Sequence, residues 1–219
     1  MKDEFKVIFE KISTTNFSDA LDSLGLSGAT YGINGVYDSC RKIYGEAVTM
    51  KLVPYTGQQP KVHLGISAIT AAKPGDVIVI DNAGRLDLSC WGGVLATGSS
   101  LKGISGVVID GACRDVDDLV ELYFPVYARG KVVQTARGRC VEESFNEPVT
   151  FGGVSVKPGD YVLADRSGVV IAPAERIEEV LAKALSLYEK EEAMCADLRS
   201  GLTSLEVDQK YNYNAMLKK

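Results

Sequence analysis

The chain has 219 residues, of which 46% are hydrophobic and 24% charged, and its formal net charge is −5. This composition is typical of a globular domain, and the acidic balance disfavours a nucleic-acid-binding protein, which normally carries a basic patch. The five cysteines are odd in number and form no C-x-x-C pair, which argues against a disulfide framework or a thiolate zinc site. We therefore expect a cytoplasmic protein. Neither a secretory signal nor an apolar run of the roughly 20 residues that a membrane span requires is visible.

The chain contains a single histidine, His63. Any Ser-His-Asp or Cys-His catalytic arrangement would have to use it, and a histidine-rich zinc or iron site is excluded. A bound metal would need oxygen ligands, which favours Mg²⁺ or Mn²⁺. Because His63 stands beside an apolar segment, a structural or surface role is favoured over catalysis.

The N-terminal part of the chain predicts two helices. Hydrophobic spacing places the first over residues 3–12 and the second over 18–24, where Gly25 occupies the position of a helix-ending glycine. A strand is predicted over 47–53 and a helix over 62–71.

The middle of the chain predicts a βαβ unit. Residues 77–80 and 106–110 form apolar runs that indicate buried strands. Between them we expect a loop over 81–91 and a helix of small residues over 92–102. A second loop is expected over 111–115, and another helix begins at residue 116. Strand, helix and strand in this order predict parallel strands with a right-handed crossover.

The later part of the chain predicts short strands, then a long helix from Pro173 to about residue 199, then a polar tail. The strands are expected near 126–128, 132–135, 154–156, 161–164 and 169–171. Residues 73–81 and 157–165 resemble each other, each reading as turn, strand and aspartate. Because there are only two copies, we interpret them as the same turn–strand motif used twice and not as a repeat architecture. With no low-complexity linker, one domain is predicted over 1–219, with an N-terminal helix within 1–14 and a tail over 202–219.

The βαβ unit also predicts where a ligand would bind. In an open parallel sheet, ligands bind beyond the carboxyl ends of the strands, so the two loops should lie side by side. The helix that begins at Gly93, Val94 and Leu95 would present unpaired N–H groups to a carboxylate or phosphate. The alternative is that the glycines serve only a tight turn and close packing.

The second loop carries Arg114 and Asp115. A guanidinium suits a carboxylate or a developing enolate, and the adjacent acid could be a hard-metal ligand. The alternative is a surface ion pair worth ~0–1 kcal/mol. Asp81 and Asp87 are further candidates to line the site, whereas Cys90, Cys113 and Trp91 are interpreted as packing residues.

These residues also carry a resemblance. Gly93, twenty intervening residues, Arg114-Asp115, two residues and Asp118 resemble the G-x20-R-D-x2-[DE] signature of the RraA-like family. Further segments resemble the family in order, at 18–25, 73–81, 106–111, 124–130 and 157–160. The family includes divalent-metal-dependent pyruvate aldolases acting on 4-hydroxy-4-methyl-2-oxoglutarate, with oxaloacetate decarboxylase activity, and the regulator of ribonuclease activity A.

The resemblance implies a compact α/β swivelling-type domain with stacked β-sheets and flanking helices, assembled as trimers or hexamers. It implies that Asp115 is a ligand of Mg²⁺ or Mn²⁺ and that Asp118 is a second acid, acting directly or through metal-bound water. It implies further that Arg114 contacts the carboxylate or enolate oxygen of a 2-oxo acid, and that the N–H groups of Val94 and Leu95, beside Gly93, cradle the carboxylate. Many bacterial aldolases of the family have an Asp at the position of Gly93, so the acid–base step of aldol cleavage stays unassigned.

The sequence therefore predicts a metal-dependent lyase that releases pyruvate from a 2-oxo acid, with Arg114 and Asp115 as its catalytic residues. The alternative is a non-catalytic regulator that binds ribonuclease E. A menaquinone methyltransferase is disfavoured because no G-x-G-x-x-G follows a strand. The expected partners are a small 2-oxo acid and further copies of this chain, without nucleic acid or membrane.

Overall fold

The computed structural model describes residues 1–59 and 62–212. Its helices are, in chain order, α1 (Asp3–Lys11), α2 (Thr14–Ser23), α3 (Ile66–Ala71), α4 (Gly93–Leu101), α5 (Val116–Glu121), α6 (Ile177–Arg199) and α7 (Ser204–Tyr211), with a 3-10 turn (Ala174–Arg176) before α6. Its strands are β1 (Asn34–Gly35), β2 (Ile43–Pro54), β3 (Val77–Ser89), β4 (Gly106–Cys113), β5 (Val126–Lys131), β6 (Cys140–Phe145), β7 (Val149–Phe151), β8 (Val154–Val156), β9 (Tyr161–Asp165) and β10 (Gly168–Ala172).

Most of the strands form one mixed sheet in the order β1-β5-β4-β3-β2-β9-β10. Strand β6 pairs with the last residues of β2, from Met50 to Pro54. The long β2 joins the two parts of this sheet, because its first residues pair with β9 and its later residues with β3. Strands β7 and β8 form a separate hairpin.

The predicted βαβ unit is confirmed. Strands β3 and β4 run parallel, with Val77 opposite Gly106 and Asp81 opposite Asp110, and α4 connects them. Strand β4 is also parallel to β5, so α5 makes a second crossover of the same kind. Every residue of β4 is buried, as expected of a central strand covered on both faces.

The alternation of side chains along β3 divides the core into two layers. Ile78 and Ile80 point into a cluster that includes Leu95 of α4, on the face covered by helices. Val77 and Val79 point the other way, into a cluster shared with β7, β8, β9 and β10. Helices α1, α2 and α6 cover the outer side of β9 and β10 through a third cluster. The predicted α/β class, with stacked strand layers and flanking helices, is confirmed.

The structure corrects the loop predicted over 81–91. Strand β3 continues to Ser89, with register shifts against β4 between Asp81 and Arg85 and between Arg85 and Ser89. Ala83 and Gly84 have positive φ angles of 51° and 69°, which accommodate the irregular stretch. The polar composition suggested a loop, but the neighbouring β4 continues alongside and provides backbone partners.

Other boundaries also differ from the predictions. Residues 132–135 form no strand, and Thr135 makes only an isolated bridge with Ser89. Strand β6 was missed because its partner β2 is distant in sequence, and β7 was missed although it forms a short hairpin with the predicted strand at 154–156. Helix α3 begins only at Ile66, and α2 begins at Thr14, where Ser13 and Asn16 form a capping box.

The segment predicted as a tail contains α7, which begins after a capping box of Thr203 and Glu206. The rest of that prediction, residues 213–219, lies outside the described residues. Among the helices described, none is long and apolar enough to cross a membrane.

Candidate active site

The N-terminus of α4 faces the carboxyl ends of β3 and β4. Gly92 caps the helix in an extended conformation, with φ −161°. The N–H of Gly93 donates to Oδ2 of Asp115 at 3.1 Å. The next two N–H groups, those of Val94 and Leu95, donate to no residue in the described part of the chain. Two helix-end donors are therefore available to an anion, as expected of a helix N-terminus.

The loop between β4 and α5 lies against this helix end. The backbone N–H of Arg114 donates to the carbonyl of Trp91 at 3.0 Å, which joins the two loops directly. Asp115 adopts a left-handed conformation with φ 55° at the start of α5. Its Oδ2 lies 3.5 Å from Nε of Arg114, and both side chains are about one-third exposed, at 33% and 38%. Aspartate tolerates this conformation better than most residues, which suits it to this turn.

Gly92 and Gly93 are needed at these positions because a side chain would have no space, and not because of their backbone conformation. A Cβ on Gly92 would overlap the Asp115 carboxylate, and a Cβ on Gly93 would overlap the Asp118 carboxylate. The sequence left two interpretations of these glycines open, an anion cradle or close packing. In the structure the pair provides close packing, because it admits two carboxylates to the end of α4, and the helix end keeps N–H donors that an anion could use.

A cavity of about 280 Å³ opens beside this helix end. Among the predicted site residues, Val94, Leu95, Arg114 and Asp115 line it. Gly93 and Asp118 touch each other next to the cavity without lining it.

Asp81 and Asp87, the further candidates, lie elsewhere. Asp81 accepts the N–H groups of Ala83 and Thr150, and Asp87 pairs with Arg85.

The predicted motif therefore forms one structural unit, and comparison with known proteins agrees. A sequence model of the RraA-like family, described as Aldolase/RraA, matches residues 14–171. The chain belongs to the RraA-like family.

Its relatives differ in name and length. A protein of Halalkalibacterium halodurans named "Putative 4-hydroxy-4-methyl-2-oxoglutarate aldolase" is 34% identical over 190 residues, which cover 87% of this chain and 86% of that protein. The protein DlpA of Legionella pneumophila is 30% identical over 92% of this chain, which spans only 32% of the length of DlpA. The crystal structure of Streptomyces coelicolor RraAS2, described as an unusual member of the RNase ES inhibitor RraA protein family, superimposes with a TM-score of 0.78. It is 27% identical over 88% of this chain and 96% of that one.

Sequence reasoning missed one wall of the cavity in this RraA-like protein. His63, Thr135 and Arg137 line the cavity together with Arg114. The segment that carries Arg137 lies beside the end of β3, because Ser89 donates to the carbonyl of Gln134 at 2.8 Å and accepts the N–H of Ala136 at 3.2 Å. The sequence offered one signal for this wall, the two arginines on either side of Gly138. The strand predicted over 132–135 ends before them and gave them no role.

The cysteines near the site are packing residues, as predicted. Cys90 lines the cavity but is buried, and burial raises the pKa of its thiol far above the ordinary value. Burial likewise raises the pKa of Cys113 to about 12. Both thiols stay protonated at neutral pH and are poor nucleophiles.

Metal ligands are few at this site. Within residues 1–59 and 62–212, no group of three or more His, Cys, Asp or Glu side chains is arranged to hold a metal ion. The candidates are the carboxylates of Asp115 and Asp118, which lie against consecutive glycines. In the described part of the chain Oδ1 of Asp115 accepts no hydrogen bond, so it is free to bind a ligand.

Proposed function

We propose that this protein is a divalent-metal-dependent lyase that cleaves a C–C bond of a 2-oxo acid and releases pyruvate. One observation carries the proposal: the free N–H groups of Val94 and Leu95, the guanidinium of Arg114 and the carboxylate of Asp115 converge on one cavity. A relative named as an aldolase supports it.

The acids present fit a hard metal ion. Mg²⁺ commonly keeps several waters and binds through one or two carboxylates plus the substrate, so it does not need three protein ligands. Asp115 would hold Mg²⁺ or Mn²⁺ through its free oxygen, and Asp118 would assist directly or through water. When bound, the ion would act as a Lewis acid toward the keto oxygen of the substrate.

The other groups have complementary roles. The N–H groups of Val94 and Leu95 bind the carboxylate next to the keto group, because helix-end donors and the helix dipole favour an anion there. Arg114 donates to the keto oxygen, where negative charge develops as the C–C bond breaks. Gly93 donates to Asp115 and thereby holds this carboxylate at the helix end.

A coupled assay tests the proposal. Purified protein is incubated with oxaloacetate or 4-hydroxy-4-methyl-2-oxoglutarate, and pyruvate is measured with Mg²⁺ and with EDTA. We expect metal-dependent pyruvate release that Arg114→Ala reduces about 10²–10³-fold, the usual loss for a donor to a developing oxyanion. Arg199→Ala, at the exposed end of α6, is the matched control and should retain full activity. Pyruvate release that is absent or unaffected by EDTA would overturn the proposal.

A second candidate function is the non-catalytic binding of ribonuclease E, favoured by the similarity to RraAS2. The two candidates separate cleanly in a pull-down with ribonuclease E in metal-free buffer. Binding there, together with no pyruvate in the coupled assay, would support the regulator and exclude the lyase.

We also propose that the protein is a homo-oligomer, either a trimer or a hexamer. Val94 and Leu101 are 84% and 86% exposed on the outer face of α4, and Tyr123 is 74% exposed just after α5. Large apolar side chains exposed near a candidate site are typical of a protein interface. Light scattering of wild-type protein and of Leu101→Asp tests this: the variant should dissociate, and a monomeric wild type would contradict the proposal.

We propose that the protein is cytoplasmic. Its five cysteines are free in the structure, which suits a reducing compartment.

A further inference from the structure

The proposed reaction leaves one proton without an acceptor. When an aldol substrate is cleaved, the hydroxyl group on the departing carbon has to lose its proton to a base. Gly93 has no side chain that could serve as this base, and Asp118 lies against Gly93 without lining the cavity. Asp115 accepts the N–H of Gly93, lies beside Arg114 and is assigned to the metal ion. None of these groups is free to accept the proton.

Most of the other titratable groups in the cavity are unsuited to this role. Among the described residues that line it, these groups are Cys90, Arg114, Arg137 and His63. Burial holds the pKa of the Cys90 thiol far above its ordinary value, so the thiol already carries its proton. The two guanidinium groups are always charged and accept nothing. His63 remains, and imidazole is the commonest general base in enzymes.

His63 lies on a segment whose backbone is fixed just before α3. Glu142 of β6 accepts the N–H of Gly65 at 3.0 Å, and the carbonyl of His63 accepts the N–H of Ile66 at 3.2 Å. The imidazole makes no hydrogen bond or ion pair in the described part of the chain, so its ring nitrogens are open to a substrate. A base that is held in place beforehand costs less entropy to use.

Burial and two arginines keep this imidazole neutral. The pKa of His63 is lowered from 6.5, first by burial and then by the positive charges of Arg137 and Arg114. The other charged groups around it are Asp115, which also lines the cavity, and Glu142, which is joined to the His63 segment through Gly65. With all of these groups present the pKa stays lowered, so the ring is unprotonated at neutral pH and able to accept a proton.

His63 is also near the group that would hold the keto oxygen. In a 4-hydroxy-2-oxo acid a single methylene separates the keto carbon from the hydroxyl carbon, so the base has to lie close to Arg114. His63 lines the same cavity as Arg114, and the effect of the Arg114 charge on the pKa of His63 shows that the two side chains are neighbours. A substrate bound at Arg114 would therefore present its hydroxyl group within this part of the cavity.

We propose that His63 is the general base of aldol cleavage. Its imidazole takes the proton of the C4 hydroxyl group as the C3–C4 bond breaks, the electron pair of that bond passes to the pyruvate enolate, and C4 becomes a carbonyl carbon. The enolate then takes up a proton from water at C3, and the imidazolium returns its proton to water, which regenerates the base. The inference rests on the proposed function and assigns the step that this function leaves open.

Decarboxylation of oxaloacetate does not need this base. The carboxylate that leaves as carbon dioxide is already ionised, so no hydroxyl proton is removed, and the reaction requires only that the enolate be stabilised. The two reactions share Arg114 and the helix-end donors, whereas His63 should act in aldol cleavage alone. The ratio of the two rates therefore separates the role of His63 from any effect on folding or on the shared groups.

The test compares both reactions in the same preparations. Wild-type protein and His63→Gln are assayed with Mg²⁺ for pyruvate released from 4-hydroxy-4-methyl-2-oxoglutarate and from oxaloacetate. We expect His63→Gln to lower aldol cleavage about 10²–10⁴-fold, the usual contribution of a general base, and decarboxylation by less than about threefold. Val62→Ala, at an exposed neighbour outside the cavity lining, is the matched control and should change neither rate. His63→Asn gives the same comparison if His63→Gln does not fold.

The pH dependence is a readout that a structural role would not change. Below the pKa of His63 the imidazole is protonated and cannot accept, so the ratio of kcat/KM for aldol cleavage to kcat/KM for decarboxylation should fall about tenfold per pH unit. Because His63 is the only histidine, NMR of the Mg²⁺-loaded protein measures its pKa directly, and this pKa should match the pH at which the ratio begins to fall. In His63→Gln the ratio should not fall in this pH range.

The outcomes separate this inference from the proposed function. A folded His63→Gln variant that loses both reactions equally, or that keeps full aldol cleavage, shows that His63 is not the base and leaves the lyase intact. The same conclusion follows if wild-type protein decarboxylates oxaloacetate but cleaves no 4-hydroxy-4-methyl-2-oxoglutarate, or if the ratio falls more than about one pH unit away from the measured pKa. Wild-type protein that releases pyruvate from neither substrate overturns the base and the lyase together.

Discussion

The same turn occurs twice in this chain and leads to two different outcomes. In each copy an aspartate, Asp76 or Asp160, accepts the N–H of the lysine three residues earlier at 2.7 Å. In each, a glycine takes a left-handed conformation, with φ 90° at Gly75 and 87° at Gly159. A buried strand follows both turns, β3 after the first and β9 after the second.

The connections after these strands differ. Strand β3 is followed by α4 and the parallel β4, so its carboxyl end meets a helix N-terminus and a second strand end. Strand β9 returns at once through a hairpin to the antiparallel β10. There Asp165 accepts the N–H and hydroxyl of Thr14, at 2.8 and 2.6 Å, and anchors the start of α2. The same local motif therefore leads to a candidate ligand site or to a structural anchor, according to the connection that follows the strand.

The largest contrast should appear between Asp115→Asn and Asp165→Asn. We expect Asp115→Asn to lower pyruvate release about 10²–10³-fold while leaving the melting temperature nearly unchanged, because the side chain acts on charge in the cavity. Asp165→Asn should keep its activity and lose about 1–3 kcal/mol of stability, since it weakens hydrogen bonds to a charged group. Rates and urea unfolding of both variants measure this contrast. A larger activity loss in Asp165→Asn would contradict the assignment of the site to the β3–β4 edge.

The next contrast is within α4. Gly93→Ala would push a Cβ into the Asp118 carboxylate and displace the start of the helix. A misplacement of about 1 Å at a catalytic centre can cost 10²-fold in rate, and we expect a loss of about that size. Gly98→Ala is the control, because its Cβ would enter open space on the same helix. It should keep its activity and become slightly more stable. Equal rates in the two variants would show that the space beside Gly93 has no catalytic importance.

The β3–β4 edge was predictable from the sequence because its signals are local. The apolar runs, the glycine pair and the motif of Arg114 and Asp115 all lie within one βαβ unit, where chain order determines spatial order. The cavity wall that carries Arg137 belongs to a segment that begins 45 residues beyond the end of β3. Backbone hydrogen bonds join this segment to Ser89, the last residue of β3. Local side-chain patterns do not show which distant segments pair, so the arginines around Gly138 could not be assigned to the cavity from sequence, and neither could His63.

The aspartates of the two turns, Asp76 and Asp160, differ in burial, so their replacement should cost different amounts of stability. Asp160 is 4% exposed and accepts a second hydrogen bond, from the N–H of Ala174 at 2.9 Å, whereas Asp76 is partly exposed. We expect Asp160→Ala to destabilise the protein by about 2–3 kcal/mol and Asp76→Ala by about 1 kcal/mol, because the buried Asp160 accepts two backbone hydrogen bonds and Asp76 accepts one. Urea unfolding monitored by circular dichroism measures both. Equal losses would mean that the contact with Ala174 contributes nothing to stability.

The glycines of the two turns should instead behave alike. Neither Gly75 nor Gly159 has an atom within 4 Å of the position that a Cβ would take, so only the backbone conformation opposes a side chain. Gly75→Ala and Gly159→Ala should each cost about 1 kcal/mol, the penalty of a left-handed conformation for alanine. The double variant should show the sum, because in the described residues no hydrogen bond joins the two turns. A difference larger than about 1 kcal/mol between the single variants would contradict the equivalence of the turns. Equal values would leave the connections after β3 and β9 as the feature that separates a ligand site from an anchor.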